Sequence, residues 1–132
     1  MVVVVDSHAL VWYLQGSERL SRPAREALEE GERSKGLVVS VATVIDLWYV
    51  SQSTRRVSEA ELSALRSRLE SSDAVRIEPI SLAVADASTG IPRSVLGDPW
   101  DRLIVATANV LDVALVTADG PIRQSDLAET IW

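Results

Sequence analysis

The sequence predicts an α/β fold of three layers, in which a central parallel sheet carries helices on both faces. Short aliphatic runs alternate along the chain with segments long enough for one helix, which is the order of elements in a parallel sheet. The first run, residues 2–5, contains only valine, as expected of a strand buried on both faces. With 132 residues, 47% of them hydrophobic, the chain is long enough for one packed domain over residues 1–132.

The first half of the chain predicts two strands and three helices. A short helix over residues 9–14 is entered through Asp6 and Ser7, and the next helix is capped by Ser21 and ends in the charged run from Gly31. A second strand at residues 37–39 leads into a helix that Ser40 caps and that runs to about Gln52.

The second half continues the alternation. Ser58 and Glu61 form a capping box, which predicts that a helix begins there. This helix is followed by a strand at residues 75–80 that Pro79 interrupts. A helix over residues 82–87 and a loop over 89–97 come next. Asp98 is a suitable N-cap for the following helix, which leads into a strand at residues 114–116, a turn at 120–121 and an edge strand within 128–132.

Composition excludes several kinds of site. The chain has no cysteine and one histidine, which excludes disulfides, zinc-thiolate sites and thiol catalysis and argues against a histidine-based metal site. Any metal must therefore be held by oxygen. Charge-free runs such as residues 36–45 are too short to cross a bilayer, and the chain lacks a signal-peptide pattern, so we expect a cytoplasmic protein.

Acidic residues are predicted to meet at one edge of the sheet. Asp6 and Asp119 each follow a strand, whereas Asp98 and Asp101 begin the helix that leads into the strand before Asp119. A helix that leads into a parallel strand begins at the carboxyl edge, where the strands also end. Taken singly, each of these acids is equally well explained as a helix cap or a turn residue.

Asp46 has no such ordinary explanation. It is the only charge among residues 41–50, with no basic residue within one helical turn. We therefore expect a buried, unpaired carboxylate, which must either be neutralised or find a cation.

A cluster of these acids predicts a metal-dependent reaction. Two carboxylates about 5 Å apart repel each other by roughly 3 kcal/mol at an effective dielectric constant of about 20. A divalent cation offsets this repulsion, and an all-oxygen ligand set suits Mg²⁺ or Mn²⁺. Hydrolysis of a phosphodiester by metal-activated water is a reaction that needs carboxylates and neither His nor Cys.

The net charge of −6 argues at first against a nucleic-acid partner. If the five acids form one cluster, however, the rest of the molecule carries a charge close to −1. Twelve of the thirteen basic residues are arginines, which suit phosphate contacts. They include Arg19, Arg22, Arg25, Arg55, Arg56, Arg93 and Arg102.

Four segments together resemble a known family. They are VVVDSHALVW at residues 3–12, SVATVID at 40–46, DPWDRLIVA at 98–106 and VTAD at 116–119. In order and spacing these segments resemble the four motifs of PIN-domain ribonucleases, and most of all the VapC toxins of bacterial toxin–antitoxin pairs. The resemblance extends over nearly the whole chain.

The resemblance implies a PIN-like fold and a Mg²⁺- or Mn²⁺-dependent endoribonuclease that cleaves RNA as the toxin of a type II toxin–antitoxin system. It assigns the catalytic and metal-binding positions to Asp6, Asp46, Asp101 and Asp119, with Asp98 as an additional acid. It also implies a homodimer and a VapB-type antitoxin whose chain covers the acidic site and inserts a basic side chain. The family usually has Glu at the position of Asp46, and the shorter side chain reaches less far towards a metal.

Other polar residues are weaker candidates. Ser7 and Thr117 adjoin two of the acids and serve either to orient a carboxylate or as ordinary caps. Arg102 is expected to contact a phosphate or to pair with Asp98 or Asp101. His8 is interpreted as a local hydrogen-bonding residue rather than a general base. The four tryptophans, Trp12, Trp48, Trp100 and Trp132, are expected to be core or interface anchors.

Two other functions compete with the toxin hypothesis. One is a PIN-like module that binds the antitoxin but has weak or no catalytic activity because of Asp46. The other is a phosphoacceptor receiver domain, which also has acids at the carboxyl edge of a doubly wound sheet. A receiver domain needs a lysine at a late strand end, and the only lysine, Lys35, precedes the second strand.

Overall fold

The computed structural model describes residues 1–53 and 56–132, so that Arg55 lies outside the described residues. Five strands form one sheet, and all of its pairings are parallel. In chain order they are β1 (Val3–Val5), β2 (Leu37–Ser40), β3 (Val75–Glu78), β4 (Ala114–Val116) and β5 (Thr130–Ile131). Their order across the sheet is β3-β2-β1-β4-β5. The strands that carry the candidate acids, β1 and β4, are therefore neighbours.

Seven helices are present in the described part of the chain. They are α1 (Ser7–Gln15), α2 (Arg22–Arg33), α3 (Val41–Ser53), α4 (Glu59–Ser71), α5 (Leu82–Thr89), α6 (Pro99–Leu111) and α7 (Gly120–Gln124). None of the helices in residues 1–53 and 56–132 combines the length and the hydrophobicity that a membrane span requires.

The helices cover both faces of the sheet, which confirms the predicted three-layer α/β fold. Val3 and Val5 of β1 belong to a core shared with α1, α2 and α4. Val4, between them in sequence, belongs to a second core shared with Ile104 and Val105 of α6. Successive side chains of a strand point to opposite faces, so a strand buried on both sides has no polar position. This explains the uninterrupted valine run.

Local signals fix most element ends as predicted. Ser21 and Ser58 cap α2 and α4 with their side chains, and the capping box between Ser58 and Glu61 is complete. Gly16 ends α1 at a φ of 64°, in the left-handed region that glycine adopts without steric cost.

The structure corrects several boundaries. The helix predicted over residues 9–14 begins two residues earlier, at Ser7, and α2 passes through Gly31 to Arg33. The strand before Pro79 ends at Glu78, because proline has no N–H to donate to a sheet. The turn predicted at residues 120–121 is the first turn of α7, in which Pro121 occupies the N-terminal position that proline tolerates.

Candidate metal centre

Asp6 lies at the carboxyl end of β1 and uses both of its carboxylate oxygens. Oδ1 accepts a hydrogen bond from the backbone N–H of Ala9 (2.9 Å), so Asp6 caps α1. Oδ2 accepts a hydrogen bond from the hydroxyl of Thr117. The side chain is buried, and burial raises the pKa of this carboxyl group above its usual value, an effect that the Thr117 hydrogen bond partly opposes.

Thr117 connects two of the acids. It follows β4, next to Asp6 in the sheet, where the Asp6 N–H donates to the carbonyl of Val116 (3.1 Å). Besides donating to Asp6, the Thr117 hydroxyl accepts a hydrogen bond from the backbone N–H of Asp119 (3.0 Å). Asp119 in turn caps α7 by accepting from the N–H of Ile122 (2.9 Å).

Asp46 lies on α3 and faces α1. Its Oδ2 accepts a hydrogen bond from the Ser7 hydroxyl at 2.5 Å. The residue is half-buried, so the prediction that it is buried is wrong, and its hydrogen-bond partner is a hydroxyl group rather than a basic side chain. The apolar sequence around it was misleading, because Trp48 and Tyr49 in the next turn of α3 are each 50% exposed and do not cover it.

Asp98 and Asp101 occupy the N-terminus of α6. Asp98 is the N-cap, and its Oδ1 accepts hydrogen bonds from the N–H groups of Trp100 (2.9 Å) and Asp101 (3.0 Å). The side chain of Asp101 lies in the first turn of the helix and is half-buried. The predicted cap role of Asp98 is confirmed.

The electrostatics of Asp101 show that the five acids converge. Burial, together with the negative charges of Asp98, Asp119, Asp46 and Asp6, raises the pKa of Asp101 to about 7. An ordinary Asp titrates near pH 3.9. The topology has therefore brought four other carboxylates within electrostatic range of one side chain, although they come from four different segments of the chain.

An oxygen-coordinated divalent cation fits this group of acids. Every candidate donor is a carboxylate or hydroxyl oxygen, and a cation at the centre would relieve the repulsion that raises the pKa of Asp101. Within residues 1–53 and 56–132, no three His, Asp or Glu side chains stand close enough to form a ready-made ligand set. To coordinate a cation, the carboxylate side chains must therefore change conformation, or water molecules must complete the coordination. Mg²⁺ usually retains several such waters.

Arg102 is placed away from the acids. Its Nη1 donates to the carbonyl of Leu96 and its Nη2 to the carbonyl of Ser88, both at 2.8 Å. The predicted pairing with Asp98 or Asp101 is therefore wrong, and Arg102 instead ties the loop before α6 to α5. A guanidinium has five donors in a planar fork, which suits it to bridge two carbonyl groups.

The aromatic residues divide between two places. The rings of Tyr49 on α3 and Trp100 on α6 lie 5.7 Å apart, beside the helical turns that carry Asp46 and Asp101. On the other side of Asp6, the ring of Trp12 lies 5.8 Å from His8 and 5.8 Å from Trp132.

Sequence reasoning missed a cleft beside the acids, which we call the α1–α3 cleft. It has a volume of about 280 Å³ and is lined by Ser7, His8, Trp12, Arg19, Leu47 and Arg56, among others. Nothing in the sequence distinguishes Arg19 and Arg56 from the other ten arginines. They are 37 residues apart, and their local sequence does not indicate that they line the same cleft.

Comparison with protein families gives a clear result. The family model of the PIN domain matches residues 3–126 of the chain. Ribonuclease VapC22 from Mycobacterium tuberculosis is 34% identical over 133 aligned residues, which cover 98% of each protein.

Several solved structures have similar folds. A toxin–antitoxin complex from Klebsiella pneumoniae superimposes with a TM-score of 0.61 at 20% identity, covering 89% of this chain and 86% of that one. VapBC2 from Rickettsia felis, bound to a DNA fragment from its promoter, superimposes with a TM-score of 0.70 at 15% identity, covering 98% of this chain and 97% of that one. FitAcB from Neisseria gonorrhoeae superimposes with a TM-score of 0.65 at 20% identity, covering 98% and 96%. At these identities the likeness concerns the fold.

Proposed function

Since the chain belongs to the PIN-domain family, we propose that it is a divalent-metal-dependent endoribonuclease and the toxin of a type II toxin–antitoxin system. The observation that carries the proposal is the placement of Asp6 and Asp119 after neighbouring strands of the sheet and of Asp101 in the first turn of α6, where burial and four other carboxylates raise the pKa of Asp101 to about 7. Such a concentration of negative charge at one point has a physical reason if a cation and a phosphodiester bind there.

We assign metal binding to Asp6, Asp101 and Asp119, with Asp46, whose carboxylate accepts a hydrogen bond from Ser7, as the fourth acid. The bound cation, Mg²⁺ or Mn²⁺, would supply the positive charge that activates a water molecule for attack on the phosphodiester. The Thr117 hydroxyl donates a hydrogen bond to the carboxylate of Asp6 and accepts one from the backbone N–H of Asp119. The Ser7 hydroxyl donates a hydrogen bond to the carboxylate of Asp46. Arg102 supports this arrangement only indirectly, through the loop before α6.

We propose a VapB-type antitoxin as the partner that inhibits the enzyme. VapBC2 from R. felis and a toxin–antitoxin complex from K. pneumoniae share this fold, and an acidic centre attracts a basic side chain of an inhibitor as well as a cation. A homodimer of the toxin within this complex is part of the same proposal.

Substitution of two acids tests the catalytic assignment. Asp101→Asn and Asp6→Asn preserve side-chain size but remove a metal-binding charge, so each should abolish Mn²⁺-dependent cleavage of RNA and relieve growth arrest in cells. Asp112→Asn, which removes an exposed charge at the opposite end of α6, serves as the control and should cleave like the wild type. Full activity in either active-site variant would contradict the site assignment.

A second candidate function is an antitoxin-binding module without catalysis. It is favoured by one observation: the short side chain of Asp46 is already engaged by Ser7 at 2.5 Å. Titration of Mn²⁺ and Mg²⁺ with wild-type protein and total cellular RNA separates the two functions. Cleavage that rises with the metal concentration supports the enzyme, whereas tight antitoxin binding without any cleavage supports the module.

A further inference from the structure

We propose that the α1–α3 cleft binds a nucleotide that flanks the scissile phosphate, with its phosphate group at Arg19 and Arg56 and its base against Trp12. This inference rests on the proposed ribonuclease function and adds a binding subsite to it. The cleft lies outside the group of acids and contributes no metal ligand.

The position of the cleft connects it to the acids. Ser7, which lines the cleft, donates its hydroxyl hydrogen bond to Asp46 and directly follows Asp6 in sequence. His8, also in the lining, lies in the first turn of α1, which Asp6 caps. We therefore place the nucleotide next to the reacting phosphate in this cleft.

The charge of the cleft is opposite to that of the molecule. The protein carries 19 acidic and 13 basic residues, yet no Asp or Glu occurs among the described residues that line the cleft, whereas two arginines and the only histidine do. Both arginines are exposed. Arginine suits phosphate oxygens because its planar guanidinium donates two parallel hydrogen bonds.

The loop that carries Arg19 is held in place by hydrogen bonds. The carbonyl of Ser17 accepts from Nη2 of Arg25 at 3.0 Å, and the N–H of Ser17 donates to the carbonyl of Trp12 at 2.9 Å. The Ser17 hydroxyl accepts from the N–H of Arg19 itself at 3.2 Å. Arg19 thus extends from an anchored turn, which reduces the entropy lost when a phosphate binds.

The size and the walls of the cleft suit one nucleotide. Its volume of about 280 Å³ is near the lower end of the range of roughly 300–1,000 Å³ for small-ligand pockets. Trp12 is half-buried and presents ring surface next to His8, and the stacking of bases on aromatic side chains is a general mode of single-strand recognition. A cleft of this volume holds one nucleotide and not a base-paired duplex, so it favours a single strand.

The test compares two double variants in an Asp101→Asn background, which prevents cleavage. Arg19→Ala with Arg56→Ala removes the two charges of the cleft. Arg33→Ala with Arg76→Ala removes two exposed charges elsewhere: Arg33 ends α2 at the opposite, amino edge of the sheet, and Arg76 pairs with Glu78 on β3. The probe is a fluorescein-labelled single-stranded RNA of 12 nucleotides of mixed sequence, and its anisotropy gives Kd between 50 and 200 mM KCl.

We expect the cleft variant to bind this RNA at least tenfold more weakly than the parent at 50 mM KCl. Each lost contact with a single-strand phosphate should lower the slope of log Kd against log salt by about 0.7, so the loss of two contacts lowers it by about 1.4. In the cleavage-competent protein the same pair of substitutions should raise KM and leave kcat within about threefold, because the subsite binds substrate and transition state equally.

The outcomes distinguish this proposal from the proposed function. If the wild type cleaves RNA but the cleft variant matches the control variant in Kd and salt slope, the subsite is wrong and the ribonuclease stands. If the wild type cleaves no RNA but binding depends on Arg19 and Arg56, the enzyme proposal fails and the cleft stands as an RNA-binding site without a scissile phosphate beside it. Unchanged RNA binding with loss of the co-expressed antitoxin would show that the cleft is a protein-binding site and overturn the proposal.

Discussion

At the scale of single residues, Thr117 determines the geometry of two acids at once. Its fully buried hydroxyl donates to the carboxylate of Asp6 and accepts from the backbone of Asp119. A metal ligand whose orientation is set by a hydrogen bond pays less entropy on binding, and removal of such supporting partners typically costs about 10–100-fold in metal affinity or activity. We therefore propose that Thr117 is a positioning residue, which acts through Asp6 and Asp119 rather than by contact with the substrate.

Thr117→Val tests this role because valine keeps the shape and removes the hydroxyl. We expect kcat/KM for Mn²⁺-dependent RNA cleavage to fall roughly 10–100-fold, and Thr117→Ser to restore most of it. Thr107→Val is the matched control: Thr107 is also buried, but its hydroxyl donates only to the carbonyl of Leu103 in its own helix. Equal losses in both valine variants, or no rescue by serine, would contradict a positioning role and indicate a general effect on folding.

The residues also show how far sequence reasoning reaches. The sequence placed Ser7 and Thr117 next to acids, but it did not decide between caps and orienting groups, because that depends on which segment crosses above each hydroxyl. The hydrogen-bond partners of Asp46 and Arg102 could not be predicted from the sequence for the same reason. The Ser7 hydroxyl meets a residue 39 positions away, and Arg102 reaches a carbonyl 14 positions away.

At the scale of elements, the N-terminus of α6 combines a structural and an electrostatic feature. Asp98 accepts two backbone hydrogen bonds as the N-cap, and its charge also raises the pKa of Asp101 in the first turn. These two effects oppose each other in the metal-free protein, since the cap stabilises the helix while the two charges repel. They can be separated because serine is also a good N-cap and is uncharged.

We therefore predict different outcomes for two substitutions of Asp98. Asp98→Ala removes the cap and should lower the free energy of unfolding in urea by about 1 kcal/mol, the typical cost of losing an N-cap. Asp98→Ser should stay close to the wild type in stability and retain Mn²⁺-dependent cleavage. If Asp98→Ser folds normally but loses cleavage, Asp98 supports the metal or the substrate directly and is more than a cap.

The sequence predicted the type of an element wherever a local motif is strong. It did not predict where an element ends when the same residues fit two different motifs. The capping box at Ser58 and the αL glycine at Gly16 each act within one turn, so their sequence patterns sufficed. Gly120 and Pro121 form an equally good start of a turn or of a helix. Two interactions favour the helix: the side chain of Asp119 accepts a hydrogen bond from the N–H of Ile122, and Ile122 is fully buried in the second core.

At the scale of the whole molecule, the convergence of the acids follows from the topology. In a parallel sheet every strand ends at the same edge, and the order β3-β2-β1-β4-β5 places the strands before Asp6 and Asp119 side by side. This part of the candidate site was predictable from the alternation of elements alone. The α1–α3 cleft was not, because its lining comes from loop positions whose approach depends on how α1 and α3 pack.

The same convergence predicts that stability depends on pH and on metal. The pKa of Asp101 is about 7 in the folded protein and near 3.9 in the unfolded chain. Between these values the folded state holds a proton that the unfolded state has lost, so the stability of the metal-free protein falls as pH rises from about 4 to about 7. The raised pKa of Asp6 acts in the same direction. Above pH 7 Asp101 is charged in both states, and the cost of the repulsion is fully present.

Asp101→Asn should consequently stabilise the metal-free protein and destabilise it relative to the wild type when metal is added. With EDTA at pH 8, we expect a higher Tm for the variant, and at pH 4 nearly equal values, because Asp101 is then largely neutral in the folded wild type. Mn²⁺ at 100 times its Kd adds about 2.7 kcal/mol to the stability of a protein that binds it only when folded. The wild type, which retains all its ligands, should gain this stabilisation and the variant little of it, so the Tm difference between them narrows at this concentration and reverses as the metal excess is raised further.

Differential scanning calorimetry of both proteins, with EDTA and with Mn²⁺ at matched ionic strength, measures this crossover. Asp112→Asn is the matched control, since it removes one exposed charge at a left-handed position that asparagine adopts readily (φ 55°). Its Tm difference from the wild type should be small and should not change between pH 4 and 8 or on addition of Mn²⁺. A Tm for Asp101→Asn that follows the control under all conditions would mean that the five acids do not share a cation. The reversal of the Tm difference would show that the carboxylate of Asp101, which destabilises the metal-free protein by repulsion, is also a ligand of the bound metal.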